Sequence, residues 1–397
     1  MSWGFNKLTC EVMIKGTGGV TARFLAVNKV KVFQSYKTLT DTAELTMPFD
    51  DRWKVKTQDG KQTLYILGRD GIESVFPHGS AIEIKLGYDF KNELVFSGFI
   101  TGIKPQAPFV LFCEDAAWKL KQNLLNFSTR NGVTLEGVID QLLDGTGVEL
   151  HEDVKASEIV FPAGLYVNRM STAQLLHQWK EKQGLNSFIK DGKLMIGRGF
   201  FEIDNSVFKS SLDIDYSPPT INIDEDIPRG KDRLDLQSLT AESLAIRAVS
   251  IFKTNKSLEL TIVLHPDKKD EVLVIEEIDT RKTRAKQEQD AKELRQAIGG
   301  RSIFPERLQT QSRHHYNLER EELLDRAKAA LFDYAQNGLT GSFTTFGDHN
   351  LQSGQSIIMV DPMNKEKEGE YLMQDVTKIF GKDGYRQEVT IPHKIND

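Results

Sequence analysis

Few groups of residues in this sequence could carry out chemistry, and the histidines are the first to consider. His314 and His315 form the only adjacent pair among eight histidines. Neighbouring side chains point about 100° apart on a helix and to opposite faces of a strand, so one metal ion is hard to reach with both. His78 lies in a predicted turn and His177 on a predicted helix, as surface or hydrogen-bonded histidines commonly do. The histidines therefore predict no metal site.

Two groups of neighbouring carboxylates could serve a glycosidase, which needs two acids flanking a sugar bond. They are Glu114 with Asp115, and Asp224 with Glu225 and Asp226. The sequence has 57 acidic residues, so such groups arise often by chance. Neither group lies in a pattern that predicts a cleft. We therefore predict structural roles for both, and no catalytic residue.

Motifs for nucleotide and nucleic-acid binding are also missing from the sequence. The glycine cluster Gly16–Gly19 is not followed by the Gly-Lys-Ser/Thr of a phosphate-binding loop. The basic run Arg281–Lys286 is matched by Glu288, Asp290 and Glu293, which is typical of a solvated face rather than a phosphate track. The net charge of -6 argues against a dedicated nucleic-acid binder. We predict no cofactor.

Composition excludes several other classes of protein. Cys10 and Cys113 are the only cysteines and have no histidine beside them, which excludes a disulfide scaffold and a cysteine zinc site. No stretch approaches the ~18 apolar residues of a membrane helix, and the first residues lack an apolar signal core. With 39% hydrophobic and 27% charged residues, the composition is that of a globular protein of two to three domains.

The elements that would position any site change character along the chain. Residues 29–32, 42–47 and 81–86 alternate between apolar and polar side chains, which predicts antiparallel strands with one solvent-facing side. Pro105 and Pro108 mark a boundary, because proline cannot donate to a central ladder.

From about Glu114 the period becomes helical. We predict helices beginning near Ala116, Thr134 and Thr172, with a hairpin at Asp191-Gly192. Together these elements form a middle α/β unit over 107–207.

The second half returns to strands around one firm helix. Strands are predicted at 245–251, 258–264 and in the tail, and a helix over Leu318–Tyr334. Residues 279–297 are almost entirely charged or small, which indicates a solvated helix or a mobile loop. We therefore expect residues 280–297 to be dispensable for folding.

One pattern occurs twice, at opposite ends of the chain. Residues 79–100 and 354–372 both contain a glycine, a strand, a charged hairpin and a second strand opened by glycine and an aromatic residue. Such a repeat fits two β-domains of the same architecture. Hairpins also converge on this pattern by chance, so the repeat alone leaves both explanations open.

The order of these segments resembles the phage tail baseplate hub family, the late-control or tail-hub proteins of contractile tails and related contractile injection systems. The resemblance spans most of the chain except about 265–315. The segments that carry it are 41–48, 79–86, 95–103, 111–120, 172–185, 191–197 and 384–389.

The resemblance implies an α+β multidomain fold in which two small antiparallel β-barrel domains of similar architecture flank an α/β domain. The barrels would comprise 1–106 and 208–265 plus 338–397, the α/β domain 107–207, and a charged insertion with a helix 266–337.

The resemblance also implies a homotrimeric hub without enzymatic activity. Its ring would adapt a six-fold tail tube, or a tube-initiator protein, to a three-fold central spike. DNA or an effector would pass through the channel without sequence recognition. The hub would be assembled in the bacterial cytoplasm and reside in a virion tail or injection-system baseplate. Some relatives continue into a spike, whereas this chain stops at Asp397, so we expect a separate spike protein.

Two other classes of function remain open at this stage. A tail-associated cell-wall hydrolase would need a paired-acid cleft or a zinc site. A receptor- or carbohydrate-binding tail protein would display exposed aromatic residues. The four tryptophans, however, do not cluster in the sequence; they are Trp3, Trp53, Trp118 and Trp179.

Overall fold

The computed structural model shows a protein built mostly of β-sheet with few helices. It describes residues 7–396 except 16–19, 49–51, 58–61, 67–75, 106–107, 130–131, 162–163, 184, 199–217, 228–232, 239–243, 253–255, 266–267, 298–308, 317, 335–336 and 393. Across these residues, no helix combines the length and apolar character needed to span a membrane.

The first nine strands form one unit, which we call the first β-unit, and the described side chains of seven of them contribute to one apolar core. Val12, Val30, Leu45 and Ile84 are fully buried in that core, because alternate residues of each strand face inward. The strands are Leu8–Lys15 (β1), Val20–Phe24 (β2), Lys29–Ser35 (β3), Thr42–Thr46 (β4), Arg52–Thr57 (β5), Gln62–Ile66 (β6), Ala81–Tyr88 (β7), Lys91–Lys104 (β8) and Val110–Glu114 (β9).

The first β-unit extends further than the prolines suggest. Strand β9 lies beyond Pro108 and pairs with both β4 and β8. Pro105 and Pro108 occupy the loop between β8 and β9, where no ladder hydrogen bond is needed from proline. The unit therefore ends at Glu114 rather than at residue 106.

A middle unit with its own apolar core follows. Leu175, Leu176 and Trp179 form the buried face of its longest helix. Asp191 and Gly192 both have positive φ angles, of 51° and 78°, and make the predicted tight hairpin. The elements are Ala117–Gln122 (α1), Leu124–Ser128 (β10), Val133–Thr134 (β11), Ile139–Leu143 (α2), Val160–Phe161 (β12), Tyr166–Ser171 (β13), Thr172–Gln183 (α3), Leu185–Lys190 (β14) and Lys193–Arg198 (β15).

The chain then starts a second β-unit and leaves it for a separate insertion module. The second β-unit starts with Thr220–Asn222 (β16), Ile223–Asp226 (α4) and Arg233–Ser238 (β17). The insertion module consists of Leu244–Ile251 (β18), Ser257–His265 (β19), Lys268–Asp279 (β20), Arg284–Ala297 (α5), Gln309–Tyr316 (β21) and Arg320–Tyr334 (α6).

The insertion module is larger than the sequence indicated. Strands β18 and β19 pair with each other and with β21 and β20, in one four-stranded sheet. Their buried residues pack on Leu323, Ala327 and Leu331 of α6. Residues 244–265 therefore pair with strands of the charged segment and not with the second β-unit, which is where the resemblance implies they lie. An apolar strand pattern does not itself say which strands will pair.

The second β-unit is completed after the insertion. Its core contains Phe343, Met359, Tyr371 and Val389, all fully buried. The remaining strands are Asn337–Phe346 (β22), Ser356–Val360 (β23), Gly369–Leu372 (β24), Asp375–Gly381 (β25), Gly384–Ile391 (β26) and Lys394–Asn396 (β27).

One hydrogen-bonded ladder connects the two β-units. Its strand order is β17-β22-β26-β25-β3-β4-β9-β8-β7-β1-β2-β5-β6. The connection is made where β25 of the second unit pairs with β3 of the first. The other strands of the second unit, β16, β23, β24 and β27, form a sheet of four.

Candidate assembly interface

The junction between the two β-units is an antiparallel ladder between distant parts of the chain. Seven residue pairs join β3 to β25, from Ser35 opposite Asp375 to Lys29 opposite Gly381. Strand β3 also pairs with β4, so both of its edges are occupied. The ladder fixes the position of one β-unit against the other, because a slip of one residue would exchange the buried and exposed faces.

Two aromatic side chains of the second β-unit complete the core of the first. Phe380 and Tyr385, from the β25–β26 hairpin, are buried in the core of the first β-unit. The Tyr88 hydroxyl donates to the Tyr385 carbonyl at 3.3 Å. A Cβ atom on Gly347 would lie 2.1 Å from the Tyr385 ring, so glycine is required there. The two β-units therefore share a core as well as a ladder.

Side-chain hydrogen bonds reinforce the same junction. The Tyr36 amide donates to the Ser353 hydroxyl at 2.7 Å, and that hydroxyl donates to the Gln374 carbonyl at 2.6 Å. The Asn350 side-chain amide donates to the Leu94 carbonyl at 3.1 Å. Each of these bonds gives a backbone amide or carbonyl group at the junction a hydrogen-bond partner.

A fully buried lysine lies at the junction. Lys378 of β25 is 0% exposed, and its ammonium donates to the Asn350 side-chain oxygen. Burial lowers the pKa of Lys378 from 10.5 to about 7, against the opposing effect of the Asp41 and Glu93 charges. A side chain that is half neutral at pH 7 is less costly to bury than a permanent charge.

Two carboxyl groups belong to the same region: Asp41, which is partly buried and whose charge acts on Lys378, and Asp115, which is buried. Burial raises the pKa of Asp41 to about 7. Burial and the charge of Asp41 raise the pKa of Asp115 well above its usual range. Asp41 accepts from the Ser35 amide at 3.1 Å, and Asp115 accepts from the Asp41 amide at 3.0 Å and the Ala117 amide at 3.0 Å. These carboxyl groups hold β3, β4 and the start of α1 together.

The two β-units contain a matching pair of hydrogen bonds at the glycines of the repeated pattern. Gly79 donates to the Ile100 carbonyl at 2.8 Å, and Gly354 donates to the Met373 carbonyl at 2.8 Å. The return bonds, from Ile100 to the residue after Gly79 and from Met373 to the residue after Gly354, are both 2.9 Å. The φ angles of the two glycines are 79° and 83°. Local geometry therefore recurs where the sequence pattern does.

The two adjacent histidines do not face a common site. His314 and His315 follow each other on β21, opposite Val249 and Ser250, so they face opposite sides of the sheet as expected. Burial lowers the pKa of His315 to about 4, assisted by nearby Arg326.

The other two histidines also have ordinary surroundings. The His78 Nε2 atom lies 2.9 Å from the Thr101 carbonyl, and the ring lies 5.9 Å from that of Trp118. His177 is exposed on α3. In the part of the chain that the structure describes, no three potential metal-ligating side chains come together.

Three of the predicted carboxylates, Glu114, Asp115 and Asp226, are engaged in local structure, and the Asp224 side chain lies outside the described part of the protein. Glu114 pairs with Lys121 at 2.6 Å, and its neighbour Asp115 is the buried acceptor described above. Asp226 accepts from the Asn222 amide at 2.8 Å, and Glu225 is exposed. The glycine cluster at 16–19 lies outside the described residues.

The tryptophans and cysteines noted in the sequence have packing roles where the structure describes their side chains. Trp118 stacks on Phe99 at 5.3 Å, and Trp179 packs on Phe161 at 4.6 Å. Trp53 lies on β5, and Trp3 lies outside the described residues. Cys10 and Cys113 are buried thiols, and burial raises the pKa of each.

Sequence reasoning missed the junction residues, although one signal was available. Val376, Lys378 and Phe380 occupy alternate, inward-facing positions of β25. A lysine on the apolar face of a period-two pattern indicates a buried charge with a special partner. Nothing local to Tyr385 indicates that it packs in the other β-unit.

Comparisons with known proteins relate this fold to tail proteins. No family model matches the chain, and no curated protein matches it in sequence. The 43 kDa tail protein of prophage MuSo2 from Shewanella oneidensis is similar in structure, with a TM-score of 0.52 and 12% identity over 96% of this chain and 97% of that one. The tail protein from Neisseria meningitidis MC58 has a TM-score of 0.53 and 13% identity over 97% of this chain and 96% of that one. The chain therefore has the fold of these two tail proteins.

Proposed function

We propose that this chain is a baseplate hub: a structural tail protein that forms a homotrimeric ring and adapts a six-fold tail tube to a three-fold central spike. The observation that carries the proposal is the recurrence of one strand order in both β-units, together with the fold shared with tail proteins. Three copies with two similar units each would present six near-equivalent units.

The recurring strand order supports treating the two β-units as related barrels. The order β3-β4-β9-β8 in the first unit has its counterpart in β17-β22-β26-β25 of the second. Strand β7 continues the first order, whereas the β23–β24 hairpin of the second unit belongs to a separate sheet. Closing such sheets into barrels would remove exposed edges. The middle unit would then lie between two barrels, with the insertion module added to the second.

The partners follow from symmetry. One face of such a ring would offer six similar surfaces to a tube or tube-initiator ring, and the three middle units and three insertion modules would give the assembly its three-fold character. A closed ring needs head-to-tail contacts whose rotation closes. We expect an obligate contact that buries about 2,000 Å² or more.

In this proposal, function is exercised by binding rather than by turnover. The residues that could act as acids are used to hold strands and helices together: Asp115 accepts two backbone amides and Glu114 pairs with Lys121. The hub would be assembled in the bacterial cytoplasm and reside in a baseplate.

The proposal is tested by the mass and symmetry of the purified chain. We expect light scattering to give three times the 44.9 kDa chain mass, and class averages from electron microscopy to show a three-fold ring with six similar lobes. A stable monomer at micromolar concentration, or a particle without a three-fold axis, would contradict the hub.

A further inference from the structure

Two of the strand edges in the long ladder that lack a partner strand within the described residues are relevant to assembly. Strand β17 is the end strand of the long ladder and pairs only with β22. Residues 102–104, at the end of β8, pair only with β9, because β8 pairs with β7 through residues 91–99. Unpaired edges are templates for adding a strand from another chain.

Residues 102–104, the second of these edges, have a counterpart in the second β-unit that is already paired within the chain. The matching hydrogen bonds equate Ile100 with Met373. Two residues further on, Gly102 opposes Phe112 in the first β-unit and Asp375 opposes Thr390 in the second. Residues 102–104 are thus the counterpart of 375–377, which pair with β3.

The first edge corresponds to β3 itself. Leu45 opposes Leu111 in the first β-unit, and Phe343 opposes Val389 at the equivalent place in the second. Two residues before Leu45, Ala43 opposes Val32. Two residues before Phe343, Gly341 opposes Leu234. Strand β17 therefore occupies in the second β-unit the position that β3 occupies in the first, and Leu234 is the counterpart of Val32.

We propose that residues 102–104 of one copy pair antiparallel with β17 of the next copy, in the register of the β3–β25 ladder. In that ladder Val376 opposes Gln34, and their counterparts are Ile103 and Leu236. The inference rests on the proposed trimeric ring and names the strand edges that close it. Its occupant is a second copy of this chain, because the in-chain junction is the template.

The sequence at the two edges suits this register. Lys104 falls opposite Asp235, and an opposite-charge pair facing across an antiparallel ladder stabilises it. Pro105 follows directly and has no amide to donate. The ladder between copies therefore spans about three residue pairs, against seven within the chain. Long and short junctions would alternate around the ring, which makes it three-fold rather than six-fold.

Disulfide trapping tests the register. A variant with Ile103→Cys and Leu236→Cys carries both halves of the contact. Facing residues of an antiparallel ladder have Cα atoms about 4.5–5.5 Å apart, which a disulfide can bridge. Under mild oxidation we expect covalent dimers and trimers on a non-reducing gel, and monomers after reduction. Oxidised wild type is the background control, since Cys10 and Cys113 are buried.

The matched control shifts the register. The pair Ile103→Cys with Arg233→Cys moves one partner by three residues, about 10 Å, which exceeds the reach of a disulfide. We expect no covalent trimer from it. Suppose that the variant with Ile103→Cys and Leu236→Cys is a trimer by light scattering but runs as a monomer on the oxidised gel. That result would overturn the proposed edges and leave the hub proposal standing. A monomeric wild type would overturn both.

Charge reversal gives a second, independent readout. Lys104→Glu would face Asp235 with a like charge and weaken the trimer about fivefold or more per contact, measured as the concentration at half-dissociation. The double variant Lys104→Glu with Asp235→Lys restores opposite charges and should recover the wild-type value. Equal dissociation of the single and double variants would overturn the proposed pairing.

Discussion

Lys378 is a charged side chain on a face of β25 that otherwise points apolar groups inward. Removing a charge from water is tolerated only when the charge is paired or neutralised. Here burial lowers the lysine's pKa and raises that of Asp41, both to about 7. The protonation state of the junction between the β-units therefore changes near neutral pH.

The pKa of Lys378 makes the stability of the fold depend on pH. The group titrates at 10.5 in the unfolded chain and at about 7 in the folded one. Between these values the unfolded state binds more protons, so the free energy of unfolding rises with pH by up to ~1.4 kcal/mol per unit. We expect Lys378→Met to abolish that rise, measured by urea titrations at pH 7, 8.5 and 10.

The control for this experiment is Lys382→Met, an exposed lysine in the turn of the same hairpin, which should keep the wild-type slope. Asp41 acts in the opposite sense at lower pH. Its pKa is raised from 3.8 to about 7, so the folded state binds more protons and stability falls as the pH rises between these values. An unchanged slope above pH 7 in Lys378→Met would contradict the assignment.

The two matching glycines give a second prediction at this scale. A positive φ angle costs a residue with a Cβ atom roughly 1–2 kcal/mol. Gly354→Ala should lower the free energy of unfolding by about that amount, because nothing lies within 4 Å of the added atom. Gly79→Ala should lower it further, because the added atom would lie 3.1 Å from the Trp118 ring. Urea titrations at constant m-value measure both, and equal losses would contradict the difference.

At the scale of elements, helix α5 contributes little to the core of the insertion module. None of its residues belongs to that core. Arg284 pairs with Glu288 within the helix, and Asp290 pairs with Lys286 of the helix and with Lys282 just before it. Arg281, just before the helix, is different: it pairs with Asp279 and Glu319 and lies over the Phe252 ring. The expectation that residues 280–297 are dispensable for folding stays a prediction, and deleting only the helix, residues 284–297, leaves the contacts of Arg281 in place.

Deleting residues 284–297 should leave thermal unfolding cooperative and shift Tm by only a few degrees. Leu323→Ala in the neighbouring helix α6 is the contrasting variant, since its side chain is fully buried and its loss costs about 2–5 kcal/mol. Calorimetry of the two variants decides the matter. A non-cooperative transition in the deletion variant would mean that α5 supports the module.

At the scale of the whole molecule, the shared core and ladder make the two β-units one cooperative structure. We expect amide hydrogens of β1 and of β22 to exchange together, with equal free energies of opening. Tyr385→Ala should destabilise both by about 3–5 kcal/mol, although its position lies in the second unit. Hydrogen exchange under native conditions measures this. Independent opening of the two units would contradict the prediction.

The insertion module is attached differently. Its sheet and its core are separate from the long ladder. We expect its amides to exchange as a unit of their own, unaffected by Tyr385→Ala. This independence would let the module vary without disturbing the junction between the β-units.

Much of the local structure could be predicted from the sequence alone. The alternation at 29–32 and 42–47, the Asp191-Gly192 hairpin and the helix over 318–334 all correspond to elements of the fold. These features depend on side-chain periodicity and turn chemistry, which neighbouring residues determine among themselves. The resemblance to tail proteins followed from the order of such elements.

Only the tertiary structure decided which strands become neighbours. β3 and β25 are about 340 residues apart in sequence, and nothing in the sequence of either strand indicates that it pairs with the other. β18 and β19 carry the same alternation as the strands of the second β-unit but pair elsewhere. The physical reason is that every strand offers the same backbone donors and acceptors. Partner choice is set by packing over the whole molecule, which placed Lys378 and Tyr385 at the junction.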